Sequence, residues 1–144
     1  MKEEKNIRLL DELNKGCCMG SDAVKFVLSK IEGKTFKKTV EDLLEEYEEL
    51  ETKVTKLYEK YSENDPQETT LMNKAMTWYG IQIRTIKDSS ATKLAEMLLQ
   101  GLNMGIIDGK KLLDEEDIDK KVRKLVEEYI DIQECYIEKI KEFL

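Results

Sequence analysis

Histidine is absent from this sequence. Without imidazole, histidine acid–base catalysis and the Ser-His and Cys-His nucleophilic schemes are excluded. Proline occurs once and glycine seven times in 144 residues, so few positions interrupt regular backbone structure. Three cysteines are present, of which Cys17 and Cys18 are adjacent and point to different sides of a helix. With Cys135 far along the chain, this is neither a disulfide framework nor a zinc pattern. A reducing cytoplasm is the expected location. No apolar run reaches the roughly 18 residues that a bilayer-spanning helix needs. The opening Met1-Lys2-Glu3-Glu4-Lys5 leads into no signal-peptide stretch.

What the sequence does have is charge. Asp and Glu number 31 against 24 Lys and Arg, for a net charge of −7. An acidic surface repels phosphate backbones and anionic headgroups, so neither nucleic acid nor membrane is an expected partner. Charged residues make up 38% and apolar residues 40%. That mixture, rich in Lys, Glu and Leu, marks long helices, and its regular apolar spacing excludes a disordered chain.

The spacing predicts an all-α protein. Over residues 3–31, Ile7, Leu10, Leu13, Cys17, Gly20, Val24, Val27 and Ile31 fall on one stripe, and Gly33 is a stop signal. Over 35–62, Phe36, Val40, Leu43, Tyr47, Leu50, Val54, Leu57 and Tyr61 repeat as a heptad seam. Asn64-Asp65-Pro66 with Glu68 signals a new helix start. The next helix is expected over about 66–87, and Asp88-Ser89-Ser90 caps another over 91–113. The last, over about 117–143, carries Ile118, Val122, Leu125, Tyr129, Ile132, Tyr136, Ile140 and Phe143. As one helix, 66–113 would be about 70 Å long at 1.5 Å per residue. The helices before it reach only about 40 Å, so the chain must break near Asp88 and fold back.

An internal echo suggests the arrangement. Gly16-Cys17-Cys18-Met19-Gly20 matches Gly101-Leu102-Asn103-Met104-Gly105, and Tyr47 matches Tyr129 in phase. Two hairpins, 1–62 and 91–144, would be related by a pseudo-two-fold axis, with 66–87 as the crossover within a single domain. With Trp78 in the crossover, Lys93-Leu94-Ala95-Glu96-Met97, and Gly101-x-x-Met104-Gly105-Ile106-Ile107, the chain resembles the ferritin-like four-helix bundles. Within them it is similar to an uncharacterised bacterial branch with a tryptophan-bearing crossover helix. The resemblance implies a fold and no activity. The di-iron centre of that superfamily needs Glu-x-x-His from two helices, so no such centre, and no other cofactor, is expected here.

Three groups of residues are candidates for function. Gly16, Gly20, Gly101 and Gly105 each cost about 1 kcal/mol relative to alanine in mid-helix. The compensating gain is either backbone-to-backbone contact between the helices 3–31 and 91–113 or room for a ligand. Glu96, Gln100 and Asn103 share one helix face, either solvated or turned inward as a small polar site. Leu71, Met72, Met76, Trp78 and Tyr79 cannot all face one groove, so part of the crossover is either sandwiched within the chain or left as a partner surface, with a homodimer the expected use. Two functions stand at this stage. One is a non-enzymatic bundle acting through a homodimer or another protein partner. The other is a metal- or small-ligand-binding bundle with a non-standard site. A thiol-redox role is weaker, because Cys17 lies on the apolar stripe and no basic cluster adjoins Cys18.

Overall fold

The computed structural model describes residues 2–64, Pro66 and residues 74–144. Five helices form: α1 (Lys2–Leu28), α2 (Lys34–Tyr58), α3 (Lys74–Arg84), α4 (Ala91–Leu113) and α5 (Lys120–Lys141). No strand occurs among the described residues. The heptad seam of α2 is buried from Phe36 through Leu57. On α5 the seam from Val122 through Ile140 is buried likewise. Each fully buried Leu, Ile or Val contributes about 1.5–3 kcal/mol, and these stripes make one continuous core with Leu9, Leu10, Leu13 and Leu94.

α1 packs most extensively on α2, and α4 on α5; α1 also lies against α4, and α2 against α5. Contacts at the ends fix the directions. Lys5 and Arg8, near the start of α1, pair with Glu115, just past the end of α4. Phe36 at the start of α2 stacks on Phe143 beyond the end of α5, with ring centroids 4.5 Å apart. Neighbouring long helices are therefore antiparallel, and α4 begins at the end of the bundle opposite to the one where α2 stops. The side chains of the cross-bundle ion pairs Lys53–Glu128 and Lys110–Glu134 are 34% to 63% exposed, where such pairs are worth about 0–1 kcal/mol. Apolar burial holds the helices together.

Two ends are fixed by specific caps. Ser90 opens α4, its hydroxyl accepting from the Lys93 N–H at 3.3 Å. The Asp88 carboxylate accepts from the Ser90 N–H at 2.9 Å. Residues 85–90 are not helical, which places the break at the expected Asp88-Ser89-Ser90. At the other end, Arg123 of α5 donates to the carbonyls of Leu113 and Glu115 at 3.2 and 3.0 Å. It thereby satisfies acceptors left over where α4 stops.

The helix limits differ from expectation in places. α1 ends at Leu28, α2 at Tyr58 and α3 at Arg84, each a few residues early. α5 begins at Lys120 because Asp119 takes an extended N-cap conformation (φ −67°, ψ 146°). Asp117 just before it adopts φ 63°, a left-handed conformation that Asp visits more easily than most residues. The start signal at Asp65 and Glu68 falls outside the described residues.

Candidate functional site

α3 is amphipathic. Tyr79 and Ile83, one turn apart, are buried, while Trp78 and Ile81 are 55% and 56% exposed. The inward face rests on α1, and the Tyr79 hydroxyl donates to the Met97 carbonyl of α4 at 2.7 Å. α3 thus roofs the seam between α1 and α4. Beneath it lies a cavity of about 540 Å³, walled by Phe26, Met76, Tyr79, Ile83 and Leu98 and reaching inward to Tyr47, Tyr129 and Gln133.

All four candidate glycines line this cavity, and the atoms opposite them are side chains. A Cβ on Gly16 would lie 2.5 Å from the Tyr129 hydroxyl; on Gly20, 2.6 Å from the Tyr47 ring; on Gly101, 2.5 Å from the Tyr79 hydroxyl. On Gly105 it would overlap the Gln133 carboxamide. The nearest neighbour of each glycine is therefore a polar-tipped side chain rather than the backbone of a facing helix. Gly20 and Gly105 each receive a side chain from their own hairpin partner. Gly16 and Gly101 receive theirs from α5 and α3. Gly109 does the same for Ile130, at 2.7 Å.

The deep polar atoms satisfy one another. The Tyr47 hydroxyl donates to Gln133 Oε1 at 3.0 Å, and Gln133 Nε2 donates to the Tyr129 carbonyl at 3.2 Å. Burial, more than the neighbouring phenols and thiol, pushes the phenols of Tyr47 and Tyr129 well above their ordinary range. Burial, with Glu51 and Cys18 adding, does the same to the Cys17 thiol. All three groups thus keep their protons at neutral pH.

Charge gathers at the rim, where Lys15, Asp22, Arg84 and Asp108 line the opening. Lys15 Nζ lies 2.7 Å from Glu12. Asp108 is half-buried. Desolvation raises its carboxyl pKa, the nearby Lys111 opposes that and Glu12 adds to it.

The remaining candidates fall elsewhere. Glu96, Gln100 and Asn103 are all exposed, and Glu96 pairs with Lys93 at 3.6 Å. The row faces water, so the inward polar site is corrected to a solvated face. Of the crossover surface, Leu71 and Met72 lie outside the described residues. Met76 is half-buried and lines the cavity. Tyr79 is buried against α4, which removes it from any partner surface; Trp78 is exposed. Gln133 and Asp108 escaped the sequence reading because both sit beside the apolar stripes. A polar residue one helical turn from Tyr129 was the only signal for Gln133.

Among the described residues, no group of three or more Cys, Asp and Glu is placed to hold a metal ion. No helix there is long and apolar enough to cross a membrane. Compared with protein-family models, curated proteins and solved structures, the chain matches none.

Proposed function

We propose that this chain is a non-enzymatic cytoplasmic binding protein on a ferritin-like bundle, and that it takes one small, largely apolar molecule into the cavity between α1, α3 and α4. The cavity carries the reading. Its volume of about 540 Å³ falls within the roughly 300–1,000 Å³ typical of small-molecule sites. The lining has the usual character of such sites, apolar and aromatic with a small number of polar groups among them. Four glycines line the cavity, each admitting a neighbouring side chain at a cost of about 1 kcal/mol in helix propensity. The antiparallel neighbours and the long return between α2 and α4 support the ferritin-like architecture. Protonated phenols, the Tyr47 hydroxyl bonded to Gln133, and a buried thiol support binding over catalysis.

Calorimetric titration with decanol is the test. Saturable binding of one molecule per chain, lost in Ala23→Trp, which fills the cavity from α1, is the expected result. Circular dichroism must show the variant still helical. Absence of saturable binding by the unsubstituted protein overturns the reading.

A second reading rests on Trp78 and Ile81. These two large apolar side chains, more than half exposed, stand one turn apart on the outer face of α3. We propose that this face forms an isologous homodimer contact. Sedimentation showing only monomer at micromolar concentration overturns it.

A further inference from the structure

We propose that the molecule taken by this cavity is a cationic amphiphile, an alkylamine-like compound whose ammonium seats against the Asp108 carboxylate while its hydrocarbon lies along the glycine-lined floor. The inference rests on the cavity reading above and names the ligand class.

The first observation is that Asp108 makes no close ion pair. It lines the cavity on α4, one turn beyond Gly105, and no ion pair within 4.0 Å engages it among the described residues. The groups that face it are Glu12 of α1, Lys111 of its own helix and Tyr129 of α5. Lys15, the cation of α1 in the lining, is held by Glu12 at 2.7 Å, its side chain only 12% exposed. A half-buried carboxylate in this position is poorly solvated, as the upward displacement of its pKa by burial reflects. A protonated amine would supply the missing charge, and a charge-assisted hydrogen bond is about twice as strong as a neutral one.

The second observation is the balance of the rim. The lining carries two carboxylates, Asp22 and Asp108, and two cations, Lys15 and Arg84, of which Lys15 is engaged by Glu12. An anionic headgroup beside Asp108 would meet that carboxylate and Glu12, while Lys15 is already engaged. The third is the wall itself. The rings of Tyr47, Tyr79, Tyr129 and Phe26 line the cavity, and aromatic faces attract cations. The deeper polar atoms already bond one another, so the inner end offers hydrocarbon a place and a second headgroup none. The net charge of −7 draws cations toward the surface.

The test is isothermal titration of the full chain at pH 7 with decylamine, decanol and decanoate, each below its micellar concentration. Decylamine is expected to bind about tenfold tighter than decanol, and decanoate more weakly than either. Asp108→Asn should bring decylamine to the level of decanol and leave decanol unchanged. In the unsubstituted protein, the Asp108 side-chain carbonyl resonance should titrate at lower pH when decylamine is bound and stay unmoved with decanol. Equal affinities for amine and alcohol, tighter binding of decanoate, or an amine preference that survives Asp108→Asn overturns the inference and leaves the cavity reading standing. Failure of all three compounds to bind overturns both.

Discussion

The Tyr47 hydroxyl reaches across the bundle from α2 to donate to the Gln133 carboxamide of α5 at 3.0 Å, with both side chains buried. This bond lies between helices that are far apart in sequence and otherwise joined by apolar contacts and the Lys53–Glu128 ion pair. Gln133 spends its other end on the Tyr129 carbonyl of its own helix, which fixes the carboxamide over Gly105. The pair thus sets the register of α2 on α5 and shapes the inner end of the cavity.

Tyr47→Phe leaves the buried Gln133 Oε1 without its donor. The expected loss is about 1–3 kcal/mol of unfolding free energy, the cost of a buried unsatisfied polar group. Gln133→Met strands the Tyr47 hydroxyl in the same way. The two single losses should not add: in the double variant both polar partners are gone, and a coupling of about 1 kcal/mol is expected from the urea-denaturation cycle. Strict additivity would mean that the bond contributes nothing.

The glycines give a prediction with opposite signs at two sites. Alanine gains about 1 kcal/mol over glycine inside a helix. At Gly80, nothing lies within 4 Å of a new Cβ, so Gly80→Ala should stabilise by up to about 1 kcal/mol. At Gly20 the Cβ would meet the Tyr47 ring at 2.6 Å, and that ring is buried and tied to Gln133. Overpacking costs about 1–3 kcal/mol, so Gly20→Ala should show a net loss of about 1 kcal/mol. Urea midpoints at unchanged slope measure both. Equal gains at the two sites would show that the Tyr47 ring is free to move aside.

These residues also mark how far the sequence could be read. The seams of α2 and α5 were legible because a heptad of large apolar residues has one way to be buried, and Val40, Leu50, Val122 and Ile140 lie where the spacing put them. Ser90 was legible as a cap because capping is local. What fills the face of a glycine is a matter of which helix arrives opposite, so the backbone contact expected at Gly20 and Gly105 turned out to be Tyr47 and Gln133. The cavity depends on how α3 settles over α1 and α4, and no periodicity within one segment encodes that. Trp78 was readable as apolar but Tyr79 not as buried, because adjacent residues of one helix divide between faces only once the neighbour is known.

Acid should first stabilise and then destabilise this protein. Burial raises the carboxyl of Asp108, with Lys111 opposing. It also raises that of Glu51, against the bond from the Ser21 hydroxyl and the charge of Lys25. The folded chain therefore holds these two protons more tightly than the unfolded chain does. Their contribution to stability is present below the ordinary carboxylate pKa of about 4 and is lost as pH rises through the displaced folded values. Asp88 and Asp119 are displaced the other way. The Ser90 backbone N–H lowers the first, and the Tyr61 hydroxyl with Lys2 the second. Their contribution is present above about pH 4 and is lost below it. The urea midpoint should rise as the pH falls from 7 toward about 4 and fall again below that. Reduced self-repulsion at lower net charge raises the first limb as well, so the decisive comparison is with the Glu51→Gln/Asp108→Asn double variant. Its gain between pH 7 and about pH 4 should be smaller than that of the unsubstituted chain; an equal gain would place the effect in the overall charge and not in these two carboxyls.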